Sequence, residues 1–186
     1  MAKRVFIIHG WDGNPEDSWK TWLKNELEKR KFEVIAPQMP GGNNPIVKEW
    51  LKVLANIVNE PKKDDYFVGH SLGCISICRY LETLPKEKIV GGCIFVSGFC
   101  SDLNIPELTE FTNLPLDFSK VKSRAKNFVL IHSDDDEDVP IEKGIEFKEK
   151  LGAKLIIEKE MGHISEGDNI KKLPSLLKSI MEMQDD

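Results

Sequence analysis

The heptapeptide FVGHSLG at residues 67–73 constrains the fold of this chain more than any other stretch. It follows a short apolar run and leads into residues 74–84, whose pattern predicts a helix that ends near Pro85. A Gly-x-Ser-x-Gly sequence between a strand and a helix is typical of a strained turn that lifts the serine hydroxyl above the sheet. Glycine suits both flanking positions, because strand and helix approach so closely there that a β-carbon would clash. Ser71 is therefore the candidate nucleophile, and the first N–H groups of the following helix favour negative charge beside it.

Apolar runs alternate with stretches of helical period along the rest of the chain. Strands are predicted at residues 4–8, 32–36, 66–68, 89–97, 127–132 and 154–158. Further helices are predicted at residues 15–31, 46–58, 141–151 and 170–183, with Asp17 or Ser18 as the cap of the first. Alternating strands and helices require a parallel sheet with helices on both faces. Residues 98–116 have no clear period, residues 118–123 suggest a helical turn, and residues 183–186 are expected to fray.

Length and composition indicate a single domain over residues 1–186 with a sizeable core. No apolar stretch approaches the length of a membrane span, and the first strand is too short for the apolar part of a signal peptide. A net charge of −5 with mixed signs along the chain argues against a nucleic-acid partner. The cysteines, which have no Cys-x-x-Cys spacing, are interpreted as buried apolar side chains in a reducing compartment; they are Cys74, Cys78, Cys93 and Cys100. We therefore expect a cytoplasmic protein that does not bind membranes.

A serine hydroxyl becomes a useful nucleophile only when a base within hydrogen-bond reach accepts its proton, and histidine has a suitable pKa near 6.5. In open parallel sheets the functional loops lie beyond the carboxyl ends of the strands. His163 lies in the loop after the last predicted strand and is the candidate base. The other histidines precede the first glycine turn, occupy the variable position of the serine motif, or end a buried strand; they are His9, His70 and His132.

A carboxylate is also needed to fix the imidazole tautomer and stabilise the imidazolium. Residues 134–138 supply five acids after the fifth strand, and the residues alone leave all five open; they are Asp134, Asp135, Asp136, Glu137 and Asp138. The same run resembles the start of an EF-hand calcium loop. That loop needs glycine where Val139 stands and glutamate where Ile145 stands, so we predict no metal site.

The oxyanion that forms during acyl transfer needs two preorganised N–H donors, each worth about 10²–10³ in rate. The backbone N–H of Leu72, the residue after the nucleophile, is the first candidate. The backbone N–H of Trp11 is the second, because Gly10 allows the loop after the first strand to turn toward the site. The indole of Trp11 either lines the substrate pocket or packs beneath its own loop.

Four motifs together resemble the small serine hydrolases of the α/β-hydrolase superfamily, a group that includes retinoblastoma-binding protein 9 and bacterial YdeN-like proteins. The motifs are His9-Gly10-Trp11, Gly69-His70-Ser71-Leu72-Gly73, Asp136-x-x-Val139-Pro140 and Gly162-His163. The resemblance covers nearly the whole chain. Because Asp-x-x-Val-Pro holds the acid in many members of the superfamily, the resemblance favours Asp136, with Asp135 and Asp138 as the remaining alternatives.

This resemblance implies a three-layer α/β-hydrolase core of about six mostly parallel strands, in the order 2-1-3-4-5-6, without a full cap domain. It also implies a triad of Ser71, Asp136 and His163, no cofactor, and activity on small carboxylic esters or amides. A retinoblastoma partner does not carry over, because residues 72–76 end in serine where the Leu-x-Cys-x-Glu contact needs glutamate.

We therefore expect a serine hydrolase that works through an acyl-enzyme. An acyltransferase with the same triad remains open, because it differs only in the nucleophile that resolves the acyl-enzyme. A non-catalytic binding module that presents residues 98–116 to a partner also remains open, since a fold does not fix a function.

Overall fold

The computed structural model describes residues 3–184, and its centre is a six-stranded sheet. The strands are β1 (Arg4–Ile8), β2 (Glu33–Ile35), β3 (Asp65–His70), β4 (Gly92–Val96), β5 (Phe128–Ser133) and β6 (Lys154–Glu158). All neighbouring pairs are parallel, and the order is β2-β1-β3-β4-β5-β6. The predicted α/β-hydrolase core and its strand order are therefore confirmed.

Helices follow the strands in alternation. They are α1 (Ser18–Lys29), α2 (Val47–Val58), α3 (Leu72–Thr83), α4 (Thr109–Asn113), α5 (Phe118–Lys122), α6 (Ile141–Leu151) and α7 (Pro174–Glu182), with a 3-10 turn at Pro106–Leu108. The segment without a clear period, residues 98–116, thus contains that turn and one short helix, α4. No helix within residues 3–184 is both long and apolar enough to cross a bilayer.

Several predicted boundaries were wrong by a few residues. Helix α7 begins at Pro174 rather than at residue 170, because proline fits the first helical position but disrupts a helix interior. Helix α1 begins at Ser18 rather than at residue 15, and Asp17 takes the N-cap position without a side-chain capping bond, because its carboxylate pairs with Lys20 instead. Strand β4 begins at Gly92 rather than at residue 89. Residues 183–186 were expected to fray, and of these residues 185–186 lie outside the residues that the structure describes. Residues 1–2 lie outside them as well.

The core has two layers because successive side chains of each strand point to opposite faces. On one face Phe6, Phe67 and Phe95 pack with apolar residues of α2, α3 and α6. On the other face the alternate strand residues pack with α1 and α7. All four cysteines are buried and unpaired, as the sequence predicted, and the first face holds them.

This arrangement positions the candidate site. The carboxyl ends of all six parallel strands lie along one edge of the sheet, where the loops that follow β1, β3, β5 and β6 lie together. Those four loops carry the motifs identified in the sequence.

Candidate active site

Ser71 is the single residue between the last residue of β3 and the first residue of α3. Its backbone has φ 51° and ψ −118°, a conformation that a non-glycine residue rarely adopts. Such strain costs on the order of 1–3 kcal/mol and persists only where the surroundings hold it. The Ser71 N–H donates to the carbonyl of Val96 at 2.9 Å, which ties the turn to β4. The sharp turn predicted from the Gly-x-Ser-x-Gly sequence is present.

Two backbone approaches explain the glycines on either side of this turn. A β-carbon at Gly69 would lie 2.8 Å from both the Cα and the N of Cys74 in α3. A β-carbon at Gly73 would lie 2.8 Å from the carbonyl oxygen of His9 and would also collide with that of Ile8. The first glycine therefore permits the close contact of β3 with α3. The second permits α3 to cross the end of β1, a neighbour that the sequence argument did not name.

The two predicted oxyanion donors come from different elements. Leu72 is the first residue of α3, so its N–H is one of the donors that a helix leaves without an internal partner. Trp11 lies in the loop after β1 and lines the same cleft as Ser71. The Trp11 indole N–H donates to the carbonyl of Asn43 at 3.0 Å, and the half-buried ring packs against the first core face. Trp11 therefore both lines the cleft and packs against the core, so each of the two predicted settings applies in part.

His9 holds the loop that carries Trp11, a role that the sequence analysis did not assign. Its Nδ1–H donates to the carbonyl of Gly10 at 2.7 Å, and its Nε2 accepts the N–H of Met39 at 2.8 Å. Burial lowers the pKa of His9, so the ring stays neutral and these two bonds fix its tautomer. The only sequence signal for this role was a histidine directly before a glycine turn.

Asp136 is the carboxylate that contacts His163. The Nδ1 atom of His163 lies 2.9 Å and 3.0 Å from the two Asp136 oxygens. The Asp136 side chain is fully buried, and its Oδ1 also accepts the backbone N–H groups of Val139 at 2.8 Å and Asp138 at 3.1 Å. Three donors therefore converge on one buried carboxylate, which holds it in place.

The neighbours of Asp136 hold the loop that carries His163. Each accepts one of three successive backbone N–H groups of that loop at 2.9 Å; the pairs are Asp134 with Glu160, Ser133 with Met161, and Asp135 with Gly162. The bond from Ser133 Oγ to Asp135, together with that Gly162 bond, lowers the pKa of the Asp135 carboxyl. The acidic run is therefore largely a set of hydrogen-bond acceptors for one loop, with Asp136 placed to reach the imidazole.

Ser71 and His163 line one cleft of about 200 Å³, together with Trp11 and Gly10. Within residues 3–184 no hydrogen bond joins the Ser71 hydroxyl to the His163 ring. Such bonds are often long in free enzymes and shorten when substrate binds. The structure thus brings Asp136 and His163 into contact, and places Ser71 and His163 in one cleft.

One group of side chains has the spacing of metal ligands. Asp136, Asp138 and His163 offer atoms that all lie within 4.8 Å of one another. The spacing follows from the Asp136–His163 hydrogen bond and from the short turn that brings Asp138 beside it. A cation bound there would compete with the hydrogen bond that orients the imidazole.

A parallel sheet of this order with a strained serine between β3 and α3 defines an α/β-hydrolase. The sequence model of the Serine hydrolase family matches residues 5–182, and the chain belongs to this family. The YdeN protein of Bacillus subtilis (strain 168) is 34% identical over 175 residues, which cover 94% of this chain and 92% of YdeN. The serine hydrolase RBBP9 of Rattus norvegicus is 27% identical over 176 residues, which cover 93% of this chain and 87% of RBBP9.

Solved structures agree with this placement. The crystal structure of the B. subtilis ydeN gene product superposes with a TM-score of 0.95 and 31% identity over the full length of both chains. Est1E from Butyrivibrio proteoclasticus superposes with a TM-score of 0.76 and 17% identity over all of this chain and 89% of Est1E, a likeness of fold. The predicted resemblance to the small serine hydrolases is therefore confirmed, and membership of the family indicates hydrolase activity.

Residues 72–76, which the sequence analysis compared with the Leu-x-Cys-x-Glu pattern, lie inside the protein. Residues 72–76 form the first turn of α3, and all five are buried.

Proposed function

We propose that this protein hydrolyses small carboxylic esters, with Ser71 as nucleophile, His163 as general base and Asp136 as the residue that orients His163. The proposal depends above all on the contact between the buried Asp136 and the part-buried His163, because His163 lines the same cleft as the strained serine. No other histidine in residues 3–184 combines an acidic partner at hydrogen-bond distance with a position on the cleft of Ser71. His132, the nearest competitor, lies 3.8 Å from Asp136, and its Nε2–H donates to the Val139 carbonyl instead.

In the first step the Ser71 Oγ attacks the acyl carbon while the His163 Nε2 accepts the hydroxyl proton. The electron pair of the carbonyl moves to its oxygen, where the N–H groups of Leu72 and Trp11 stabilise the negative charge. The tetrahedral intermediate collapses, the ester C–O bond breaks, and His163 returns the proton to the leaving alkoxide.

In the second step a water molecule attacks the acyl-enzyme, and His163 accepts its proton. Collapse of the second intermediate returns that proton to Ser71 and releases the carboxylic acid. Asp136 keeps the proton of the neutral ring on Nδ1 throughout, because Nδ1 is the only ring atom that it contacts. Nε2 is therefore free to accept the serine proton.

The substrate class follows from the size of the cleft. A volume of about 200 Å³ is smaller than the roughly 300–1,000 Å³ of pockets that enclose drug-sized ligands. We therefore propose short acyl chains on small alcohols as substrates, with small amides as the slower class because amines are poorer leaving groups. We also propose a cytoplasmic location, because the four cysteines are buried as apolar side chains rather than paired.

The test is the hydrolysis of p-nitrophenyl acetate by the wild type, Ser71→Ala and His163→Ala. Each variant should lose on the order of 10⁴-fold in kcat, because members of such a triad act as one unit. Ser179→Ala is the matched control: it removes a buried hydroxyl in α7, bonded only to the Ser175 carbonyl, and should keep wild-type activity.

Two results would contradict the proposal. The first is a Ser71→Ala or His163→Ala variant that retains most of the wild-type rate, which removes that residue from the mechanism. The second is a folded wild type that turns over none of a series from acetate to octanoate esters and aminoacyl amides. The second result would favour a binding module on the same fold.

A further inference from the structure

His70 connects the turn that carries the nucleophile with the loop that carries the base. It is the last residue of β3 and directly precedes Ser71. Its Nε2–H donates to the backbone carbonyl of His163 at 3.0 Å, and the two imidazole rings lie 4.9 Å apart between centroids. The turn at Ser71 therefore holds the main chain of His163, the residue whose side chain would deprotonate Ser71.

The chemistry of this contact fixes the state of His70. A carbonyl oxygen only accepts, so the His70 Nε2 must carry a proton. Burial, followed by the nearby His163 and Lys20, holds the pKa of His70 well below its usual value. The ring is therefore neutral at neutral pH, and its one N–H is directed at the His163 carbonyl.

The loop beyond His163 is strained and requires such contacts. Ile164, which directly follows His163, has φ 51°, which is a true outlier for a β-branched residue. The Trp19 indole N–H donates to the Ile164 carbonyl at 2.7 Å, next to the bond from His70. The Trp19 and His70 rings also pack edge to face, with 5.9 Å between their centroids.

His163 is thus held from three sides. Asp136 holds its imidazole, Trp19 holds the carbonyl of the following residue, and His70 holds its own carbonyl. Only His70 belongs to the turn that also carries Ser71. Among the three contacts it is the one that sets the position of the base relative to the nucleophile.

We propose that His70 is a positioning residue for the proposed reaction, and that its Nε2–H donor fixes the main chain of His163 relative to Ser71, so that the imidazole reaches the serine hydroxyl when substrate binds. This inference rests on the proposed esterase function. It assigns no contact between His70 and the substrate.

The test compares His70→Leu with His70→Gln. Leucine fills similar space without a donor, whereas the glutamine amide can place an N–H near the position of the His70 Nε2–H. For p-nitrophenyl acetate, His70→Leu should lower kcat by about 10- to 100-fold with little change in KM, since a displacement of about 1 Å costs up to roughly 10² in rate. His70→Gln should recover most of that loss. Rates are normalised to the folded fraction by circular dichroism, with Ser179→Ala as the control.

Three outcomes would overturn the inference. A wild-type kcat in folded His70→Leu would show that the contact does not position the base. An equal loss in the leucine and glutamine variants would assign His70 to packing alone. A wild type without ester turnover would remove the proposed esterase function and this inference with it. If the wild type is active, an unchanged His70→Leu rate contradicts only the positioning role of His70.

A measurement on the wild type serves if the leucine variant does not fold. The ¹⁵N NMR spectrum of the imidazoles at pH 7 should show His70 as the neutral Nε2–H tautomer with slow exchange of that proton. His70→Gln provides the assignment through the loss of its signals. A neutral Nδ1–H tautomer for His70 would overturn the inference.

Discussion

Replacing Asp136 with asparagine tests the proposed mechanism while it changes almost no volume. The Asp136 Oδ1 accepts two backbone N–H groups, from Val139 at 2.8 Å and from Asp138 at 3.1 Å. An amide NH₂ cannot occupy that position, because donors would then face donors. The asparagine oxygen therefore takes the Oδ1 position, and its NH₂ group takes the Oδ2 position, which lies 2.9 Å from the His163 Nδ1.

This orientation reverses the tautomer of His163. The amide NH₂, the nearer group at 2.9 Å, can only donate to Nδ1, so Nδ1 accepts and the ring proton moves to Nε2, the atom that should accept the serine proton. The asparagine oxygen, 3.0 Å from Nδ1, does not compete for that proton because it already accepts the two backbone N–H groups. The wrong tautomer in such a triad costs about 10⁴ in kcat. That loss corresponds to about 5.4 kcal/mol of transition-state stabilisation at 1.36 kcal/mol for each tenfold step. The loop keeps its backbone bonds, so the loss of unfolding free energy should stay near 1–2 kcal/mol.

The assay is the kcat for p-nitrophenyl acetate together with the ¹⁵N shifts of His163, which report the tautomer directly. Asp135→Asn is the matched control, because Asp135 accepts from Ser133 Oγ and Gly162 N and does not contact the imidazole. It should keep kcat within a few-fold of the wild type. The reasoning is refuted if Asp136→Asn retains more than about a tenth of kcat, or if Asp135→Asn falls as far, given the expected 10⁴.

Three further predictions concern the scaffold. Gly73→Ala should lower the unfolding free energy by roughly 3 kcal/mol, the upper end for overpacking, because its β-carbon meets the fixed backbone oxygen of Ile8; an unchanged urea midpoint would contradict this. Burial lowers the pKa values of His9, His70 and His132, so below a pH of about 6.5 the unfolded state binds more protons than the native state. The free energy of unfolding should therefore decrease as the pH is lowered, by up to ~4 kcal/mol per pH unit for three groups, and equal urea midpoints at pH 5.5 and 7.5 would refute this. Burial also raises the pKa values of all four cysteines, so iodoacetamide at pH 8 should alkylate none in the native protein and all four in urea; native alkylation seen by intact mass would contradict the buried thiol cluster.

Much of the fold could be predicted because its signals are local. Continuous apolar runs such as residues 4–8 indicate strands buried on both faces, and alternation with helices requires a parallel sheet. The strand order came from resemblance rather than from periodicity. The start of α7 was missed because residues 170–173 continue the apolar pattern into Pro174, where the helix begins.

The candidate site was predictable to the extent that its residues stand in a recognisable local order. The Gly-x-Ser-x-Gly sequence identified Ser71, and Asp136-x-x-Val-Pro selected one acid from five. The supporting contacts were not predictable, because they join residues distant in sequence. Asp135 meets Gly162 across 27 positions and His70 meets His163 across 93, and no local pattern reports such pairs.

The central claim is that Ser71 is an activated nucleophile, and the mass of the intact protein after treatment with a fluorophosphonate tests it most directly. In the reaction Ser71 Oγ attacks phosphorus, fluoride leaves, and the serine proton passes to His163. The account predicts one adduct on the wild type, located by peptide mapping on Ser71, and none on Ser71→Ala. A folded wild type that gains no adduct, or a Ser71→Ala variant that gains the same one, would contradict it.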